Sequence, residues 1–381
     1  MPRVINFISK PQTVFILFSI LVIAATFQSI LLTPSVVYTK YNNYVIFKQS
    51  FFHLIHKQDL YAAYYSECWD LFKYSPAFAL FFGLFAYLPD WFGLFLWNSL
   101  NAFVLFIAIY QLPKLEMQKK SFMLLFVAIE LMTCMQNSQS NGLIAGLLIL
   151  AFCMLEKENI LLATLFISLT VFIKLFGIVA CILFLFYRKH WLKIISFIIM
   201  WCAILALIPA FFCGFEQLIF NYKSWLNLLQ NDHSISVGYS VLGFIQTWLK
   251  TEPNKTLILI IGVILLLVPL SNYKAYSNYF FKLTTLSSVL IWIIIFNHKA
   301  ESPTFIIATA GAALWYFSQS NPTKTDTVLI ITAFIFTTLS PTDIFPPFIR
   351  KELFEPYVVK VIPCILLWIK IGYDLLRFQP K

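Results

Sequence analysis

The sequence predicts an all-α protein: a polytopic transmembrane helix bundle with about twelve crossings, thirteen if one short segment also spans. Three observations carry this. Apolar runs of near-bilayer length recur from end to end of the 381 residues. Only 12% of residues are charged, against about 25% in soluble domains. Most of the basic residues sit in short segments between the runs, as topology signals do. No polar block is long enough for an attached soluble domain, so residues 1–381 read as one membrane domain.

The first run, Thr13–Leu32, is too long for a signal-peptide core and lacks a small-residue cleavage site, so it reads as a retained helix. Arg3 and Lys10 before it place the N-terminus in the cytoplasm. Residues 33–75 then form a first outer loop. Further runs follow at 92–112, 121–135, 142–155, 160–173, 175–187, 192–212, 256–271, 283–297, 304–318, 327–339 and 357–375. Pro76–Leu88 has the length of an interfacial or re-entrant segment. Leaving it out puts Lys114, Lys119, Lys120, Arg188, Lys189, Lys193, Lys274, Lys282, Lys324 and Arg377 on the cytoplasmic side. The C-terminus is then cytoplasmic too, in a multi-pass protein of the inner cell membrane.

This topology gathers the polar motifs on the outer side. They are the loop 33–75, Gln136–Asn141, Lys174 between two half-length helices, a second large outer loop at 213–255, Asn297–Pro303 and Ser340–Arg350. Within the first loop, Tyr41–Lys57 has Tyr44, Phe47, Phe51, Leu54 and Ile55 at helical spacing, which predicts a helix lying in the membrane surface. Asp70, Lys73 and Tyr74 follow where the chain turns back toward the membrane. Ionisable groups there are costly and point to function, although an i,i+3 pair also serves as a local ion pair. Lys174 reads either as a snorkelling side chain or as a phosphate partner. His298, Lys299 and Glu301 form a compact titratable group.

The composition also excludes. The net charge of +10 belongs to loop signals, not to a nucleic-acid groove. Six of the seven cysteines lie in or beside apolar runs, which is neither a disulfide framework nor a zinc pattern. His53, His56 and Asp59 have helical spacing but no further fixed ligand, so no metal site is expected. There is no Asp-x-Asp motif, P-loop or Gly-x-Ser-x-Gly.

The stretch Asn43, Ile46, Phe47, Leu54, Ile55, Asp59, Leu60 and Tyr61 resembles the first outer loop of glycosyltransferase family 87. These are polyprenyl-phosphate-mannose-dependent mannosyltransferases of the GT-C superfamily. Lys73–Pro76 followed by Leu88, Pro89, Leu96 and Trp97 is similar to that family's Tyr-Pro-Pro segment and following helices. Ser138–Asn141 looks like its Gly-Gln-x-Asn helix opening, and Ile173-Lys174 like its lysine-containing helix break. The resemblance covers the first half of the chain; the second half matches in helix count and a histidine-containing outer loop.

The resemblance implies a GT-C bundle that moves a hexose from a polyprenyl-phosphate donor to a hydroxyl of a membrane lipid or glycan, with inversion and without a metal cofactor. The family's base aspartate falls on Asn43 here, and an amide cannot take a proton. The first candidate base is therefore Asp70, with Asp59 and Glu301 behind it. Lys73, Lys174, His298, Lys299 and Arg350 are candidates for the donor phosphate. Asn43, Tyr61, Tyr74, Gln139 and Asn141 are candidates for the sugar or acceptor. Three alternatives share the helix count: a lipid-linked sugar flippase or transporter, a catalytically inactive relative that binds lipid phosphosugar, and an O-antigen ligase or polymerase. No internal symmetry favours the transporter, and no arginine-rich outer loop favours the ligase.

Overall fold

The computed structural model describes residues 10–35, 38–231 and 237–379. Arg3, one of the two N-terminal topology signals, lies outside the described residues, as do 232–236 of the second outer loop. Among the described residues the chain is all helix and turn, with no strand. The principal helices are α1 (Pro11–Leu31), α2 (Asn42–Ile55), α3 (Pro76–Phe81), α4 (Gly83–Ala86), α5 (Asp90–Tyr110), α6 (Met117–Gln136), α7 (Asn141–Glu156) and α8 (Ile160–Ile173). The tighter 3₁₀ segment Leu175–His190 follows. Then come α9 (Trp191–Leu207), α10 (Ala210–Cys213), α11 (Phe215–Asn231), α12 (Val241–Leu249), α13 (Lys255–Leu267), α14 (Tyr279–Ile295), α15 (Phe305–Ser318), α16 (Lys324–Ala333) and α17 (Ile362–Leu376).

Long elements run between two poles of a bundle, and hydrogen bonds between distant loops fix the poles. At the first pole Asn43 Nδ2 donates to Asn137 O (2.9 Å), Ser75 Oγ to Phe172 O (2.5 Å), and Trp248 Nε1 to Tyr357 O (2.8 Å). At the second, Lys119 Nζ donates to Gln319 O (2.8 Å), Lys157 Nζ to Gln111 Oε1 (3.1 Å), and Asn272 Nδ2 to Phe378 O (2.8 Å). The loops at the second pole carry Lys114, Lys119, Lys157, Arg188, Lys189, Lys274 and Arg377.

Helices α7, α14 and α15 form the interior. Every residue from Asn141 to Leu155 is buried, and so are nearly all of α14 and α15. Gly146 makes this density possible: a Cβ there would lie 2.8 Å from the backbone nitrogen of Leu105, so α5 and α7 touch backbone to backbone. Around this interior, α9 buries only Ile194 and exposes Leu192, Ile195 and Ile199, and α13 exposes Leu257, Ile260 and Ile264. An apolar shell this continuous belongs in lipid. Among the described residues, three stretches have the length and apolarity to cross a membrane: Pro11–Leu31, Asp90–Tyr110 and the 39 residues Leu175–Cys213. The chain is a membrane protein. The 39-residue stretch is not one straight rod, because Tyr187 leaves helical geometry (φ −120°, ψ 43°).

One detail differs from the sequence expectation. Helix α2 forms where expected, but Asn42, Ser50 and His53 are buried along with Tyr44, Phe47, Phe51 and Leu54. Protein covers α2 on more than one face, where a helix resting on a membrane surface would keep its polar face wet. The cause is the Pro76–Leu88 segment, which forms α3 and α4 and folds back on α2 at the first pole. Trp97, fully buried, closes the joint: its ring meets Phe47, Phe78, Phe82 and Phe85 with centroids 5.1–6.1 Å apart. Edge-to-face aromatic pairs contribute about 0.5–1.5 kcal/mol each beyond burial. Lys48 Nζ, 2.6 Å from Asp90 Oδ1 and 3.2 Å from Leu88 O, fastens the other side.

Candidate functional site at the first pole

The turn Asn137–Asn141 between α6 and α7 is the hub of the first pole. Ser138 adopts a left-handed conformation (φ 52°), which bends the chain back sharply enough for α7 to start three residues later. Trp97 Nε1 donates to Ser138 O (2.9 Å) and Asn43 Nδ2 to Asn137 O, so the turn is held from both sides.

From this turn a chain of hydrogen bonds crosses the pole. Lys174 Nζ donates to Asn141 Oδ1 (2.8 Å). Asn141 Nδ2 donates to Gln139 Oε1 (2.6 Å) and to Pro303 O (3.0 Å). Gln139 Nε2 donates to Glu301 Oε2 (2.8 Å). Asn141 is fully buried, Gln139 almost so, and Glu301 is exposed, so the chain leads from the interior to an open carboxylate. The ammonium of Lys174 also lies over the rings of Tyr74 and Phe176, 5.8 Å from each centroid. Among the described residues, neither Lys174 nor Glu301 has an oppositely charged side chain in direct contact. Two neutral amides stand between them.

Residues on both flanks support this chain. The Tyr61 hydroxyl donates to Tyr74 O (2.9 Å). Burial pushes both phenols above their ordinary range, so each is a hydroxyl donor at neutral pH. Asp59 is occupied: one carboxylate oxygen accepts from Tyr61 N (3.0 Å) and the other from Ser224 Oγ (3.0 Å) of α11. Helix α11 closes over the first loop, with Gln217 Nε2 donating to Gln58 O and Trp225 Nε1 to Lys73 O (both 3.1 Å). Asp70 and Lys73 form an exposed i,i+3 pair at 3.5 Å.

On the far side of the Asn297–Thr304 loop, His298 Nε2 lies 2.8 Å from Lys255 Nζ. These two side chains border a cavity of about 140 Å³ that also has Gln246 and Glu252 on its wall. An apolar hollow adjoins it, lined by Val241, Leu242, Ile258, Leu259 and Phe296. Lys299 is tied back through its backbone N–H, which donates to Asn297 Oδ1 (3.0 Å). Arg350 is elsewhere: it pairs with Asp343 (2.8 Å) and donates to Pro341 O, pinning its own loop.

The residues singled out from sequence thus fall into groups. Lys174, Asn141, Gln139, Glu301 and Tyr74 come together; Asn43 joins them through the shared turn. His298 stands across the loop, with Lys255 as a neighbour that sequence reasoning passed over. Asp70 with Lys73, and Arg350, have local partners, while Asp59 is held by Tyr61 N and by Ser224 of α11. Sequence reasoning also passed over Glu130 and Lys360, although Glu130 is a lone charge in the apolar run 121–135 and Lys360 lies among the apolar residues at the start of another, which is itself a signal. The His53, His56, Asp59 spacing resolves into separate contacts: His53 Nε2 is 3.0 Å from Glu67 Oε2, while His56 stacks on Phe52.

The family model for glycosyltransferase family 87 matches residues 72–341, about seven-tenths of the chain. No curated protein matches it. The matched region begins after the Asn43–Tyr61 stretch, and it runs well into the second half, through the Glu301 loop. A family match of this extent, on an all-helical bundle with a lipid-facing apolar shell, makes the chain a membrane transferase that belongs to glycosyltransferase family 87.

Proposed function

We propose that this protein transfers a hexose, mannose-like in shape, from a polyprenyl-phosphate donor to an acceptor hydroxyl. The bundle would cross the membrane about twelve times, with the first pole on the non-cytoplasmic side. The observation that carries this reading is the chain Lys174–Asn141–Gln139–Glu301, which holds a cation and a carboxylate apart with hydrogen-bonding amides between them. The amides suit sugar hydroxyls, and the two charges suit the two ends of a glycosyl transfer.

In this reading the acceptor oxygen attacks the anomeric carbon as a carboxylate removes its proton. The bond from that carbon to the phosphate oxygen breaks, and the lipid phosphate leaves with increased negative charge. The transition state has oxocarbenium character, and a single displacement inverts the anomeric centre. Lys174 supplies the positive charge that the leaving phosphate needs, with His298 and Lys299 as further candidates. Glu301 is the preferred base because its carboxylate is open and joined to the amide chain. Asp70 is the second choice, and Asp59 is better employed holding α11. The GT-C architecture and metal independence belong to the same reading.

The test is transfer by purified protein in lipid vesicles, using radiolabelled polyprenyl-phosphate-mannose, a membrane glycolipid extract as acceptor, and a chelator. Labelled product that forms in chelator supports the reading. Donor binding without product, across other sugars and acceptors, would turn it toward an inactive binding protein. Appearance of labelled donor on the opposite leaflet would turn it toward a flippase.

A further inference from the structure

The ion pair Glu130–Lys360 lies next to the Glu301 loop but outside the chain of hydrogen bonds described above. Glu130 sits within α6 and is fully buried; Lys360 is 3% exposed. Lys360 Nζ is 2.7 Å from Glu130 Oε1. The same ammonium donates to Ser302 Oγ (2.9 Å) and lies over the ring of Phe305, 5.1 Å from its centroid. Ser302 is the residue immediately after Glu301.

We propose that Lys360, held by Glu130, is a positioning residue that fixes the Glu301 carboxylate through Ser302; this rests on the reading of Glu301 as the base. Three physical points support it. First, a buried ion pair contributes little net stability, and well-packed apolar residues often replace one without loss. In an apolar bundle ionisable groups are costly, and this pair reaches the loop that carries Glu301. Second, the backbone bends to deliver Lys360. Val358, a β-branched residue, sits at φ 44°, ψ 39°, a conformation such residues rarely adopt. Strain of this kind persists where neighbours over-determine it. Here Trp248 binds Tyr357 O, and Thr337 Oγ1 donates to Lys360 O (2.8 Å). Third, the loop is anchored all along its length. Tyr239 N donates to Ala300 O (2.9 Å), Thr304 N and Oγ1 both donate to Glu301 O, and Asn141 Nδ2 donates to Pro303 O. Lys360 adds an anchor at Ser302, next to the residue that Gln139 holds. Together they leave the carboxylate little freedom, and a small misplacement of a reacting group costs about 100-fold in rate.

The test uses Ser302→Ala, which removes one acceptor and leaves the ion pair intact. The expected result is a kcat lower by about 10-fold to 100-fold, in line with a charged hydrogen bond, at an unchanged KM for donor. Ser302→Thr keeps the hydroxyl and restores most of the rate. In a Glu301→Gln background, Ser302→Ala costs nothing further, because the two act as one unit. Amide hydrogen exchange across 297–304 speeds up in Ser302→Ala and in the double variant Glu130→Gln/Lys360→Met. The proposal is overturned if Ser302→Ala changes neither kcat nor exchange. An equal loss in the Glu301→Gln background overturns it too, as that loss would be general loosening. Full transfer by Glu301→Gln alone would remove the base reading and with it the proposed target of Lys360; faster exchange would then show loop anchoring without a catalytic role.

Discussion

The two poles of the bundle treat buried charge differently. At the second pole opposite charges touch. Lys282 pairs directly with Glu156, which also accepts from the Tyr187 hydroxyl (2.5 Å), and the Lys282 ammonium covers the Tyr187 ring at 4.8 Å. Nearby, Lys370 bridges Asp326 (2.9 Å) and Asp374 (2.5 Å), and Trp315 Nε1 donates to Asp374. These groups neutralise one another and have little left for a ligand. At the first pole Lys174 and Glu301 belong to one hydrogen-bonded chain but do not meet. Contact between charges builds scaffold; charges held apart by amides remain available for a substrate that carries the complementary charge. Direct pairs occur at the first pole too, and the buried one, Glu130–Lys360, is in our proposal scaffold for the open carboxylate beside it.

The largest effect that would break this comparison is on turnover. Glu301→Gln or Lys174→Met should lower transfer by about 100-fold to 1,000-fold, the range for removing a general base or a charge-stabilising group. The thermal midpoint should stay near that of the parent. A large loss of folded protein would place Lys174 or Glu301 with the second-pole scaffold instead.

Next is stability. Lys282→Met leaves Glu156 buried beside a lost partner and should destabilise the fold by about 3–5 kcal/mol. Adding Glu156→Leu should recover most of that. Transfer per folded molecule should be unchanged in both, as read by thermal unfolding and transfer assays on the same preparations. A catalytic defect in well-folded protein would contradict the division between poles.

A smaller effect is expected at Asp59. Asp59→Ala removes the acceptor for Tyr61 N and Ser224 Oγ, which should cost about 1–3 kcal/mol and appear as faster hydrogen exchange in 215–231. Transfer should fall far less than in Glu301→Gln.

The smallest is a pH effect on the first loop. Burial lowers the pKa of His53 below its ordinary value of 6.5, and Glu67 only partly opposes the shift. The unfolded chain therefore binds the proton more readily than the folded one. Protection of residues 38–75 should be fully present above pH 6.5 and should weaken as pH falls from there through the lowered folded value. His53→Gln should flatten that dependence. Protection that strengthens on acidification would mean that the ion pair with Glu67 dominates over burial.

Much of the architecture was legible because apolar periodicity reports burial in lipid or protein directly. The run at 142–155 is α7, and that at 160–173 is α8. The short Pro76–Leu88 segment stays at one pole, as its length implied. What was illegible depends on contacts between distant segments. Nothing local shows that Lys174 meets Asn141, or that Gln139 meets Glu301 across 162 residues. The candidates were named as types, and their grouping came from folding. Asp59 and Asp70 look alike as loop carboxylates. Only the approach of α11 shows that the first is occupied and the second is exposed. That α2 is enclosed was hidden too, because its amphipathic pattern is the same whether protein or a membrane surface covers the apolar face.

The central claim is that the open carboxylate of the first pole drives the chemistry, and the most direct measurement compares Glu301→Gln with Asp70→Asn in a single-turnover transfer assay in vesicles. The account predicts that Glu301→Gln binds labelled polyprenyl-phosphate-mannose as the parent does but transfers at least about 100-fold more slowly, while Asp70→Asn stays within a few-fold of the parent. Rapid transfer by Glu301→Gln together with loss of transfer in Asp70→Asn would contradict it and move the base to the exposed pair at the edge of the first loop.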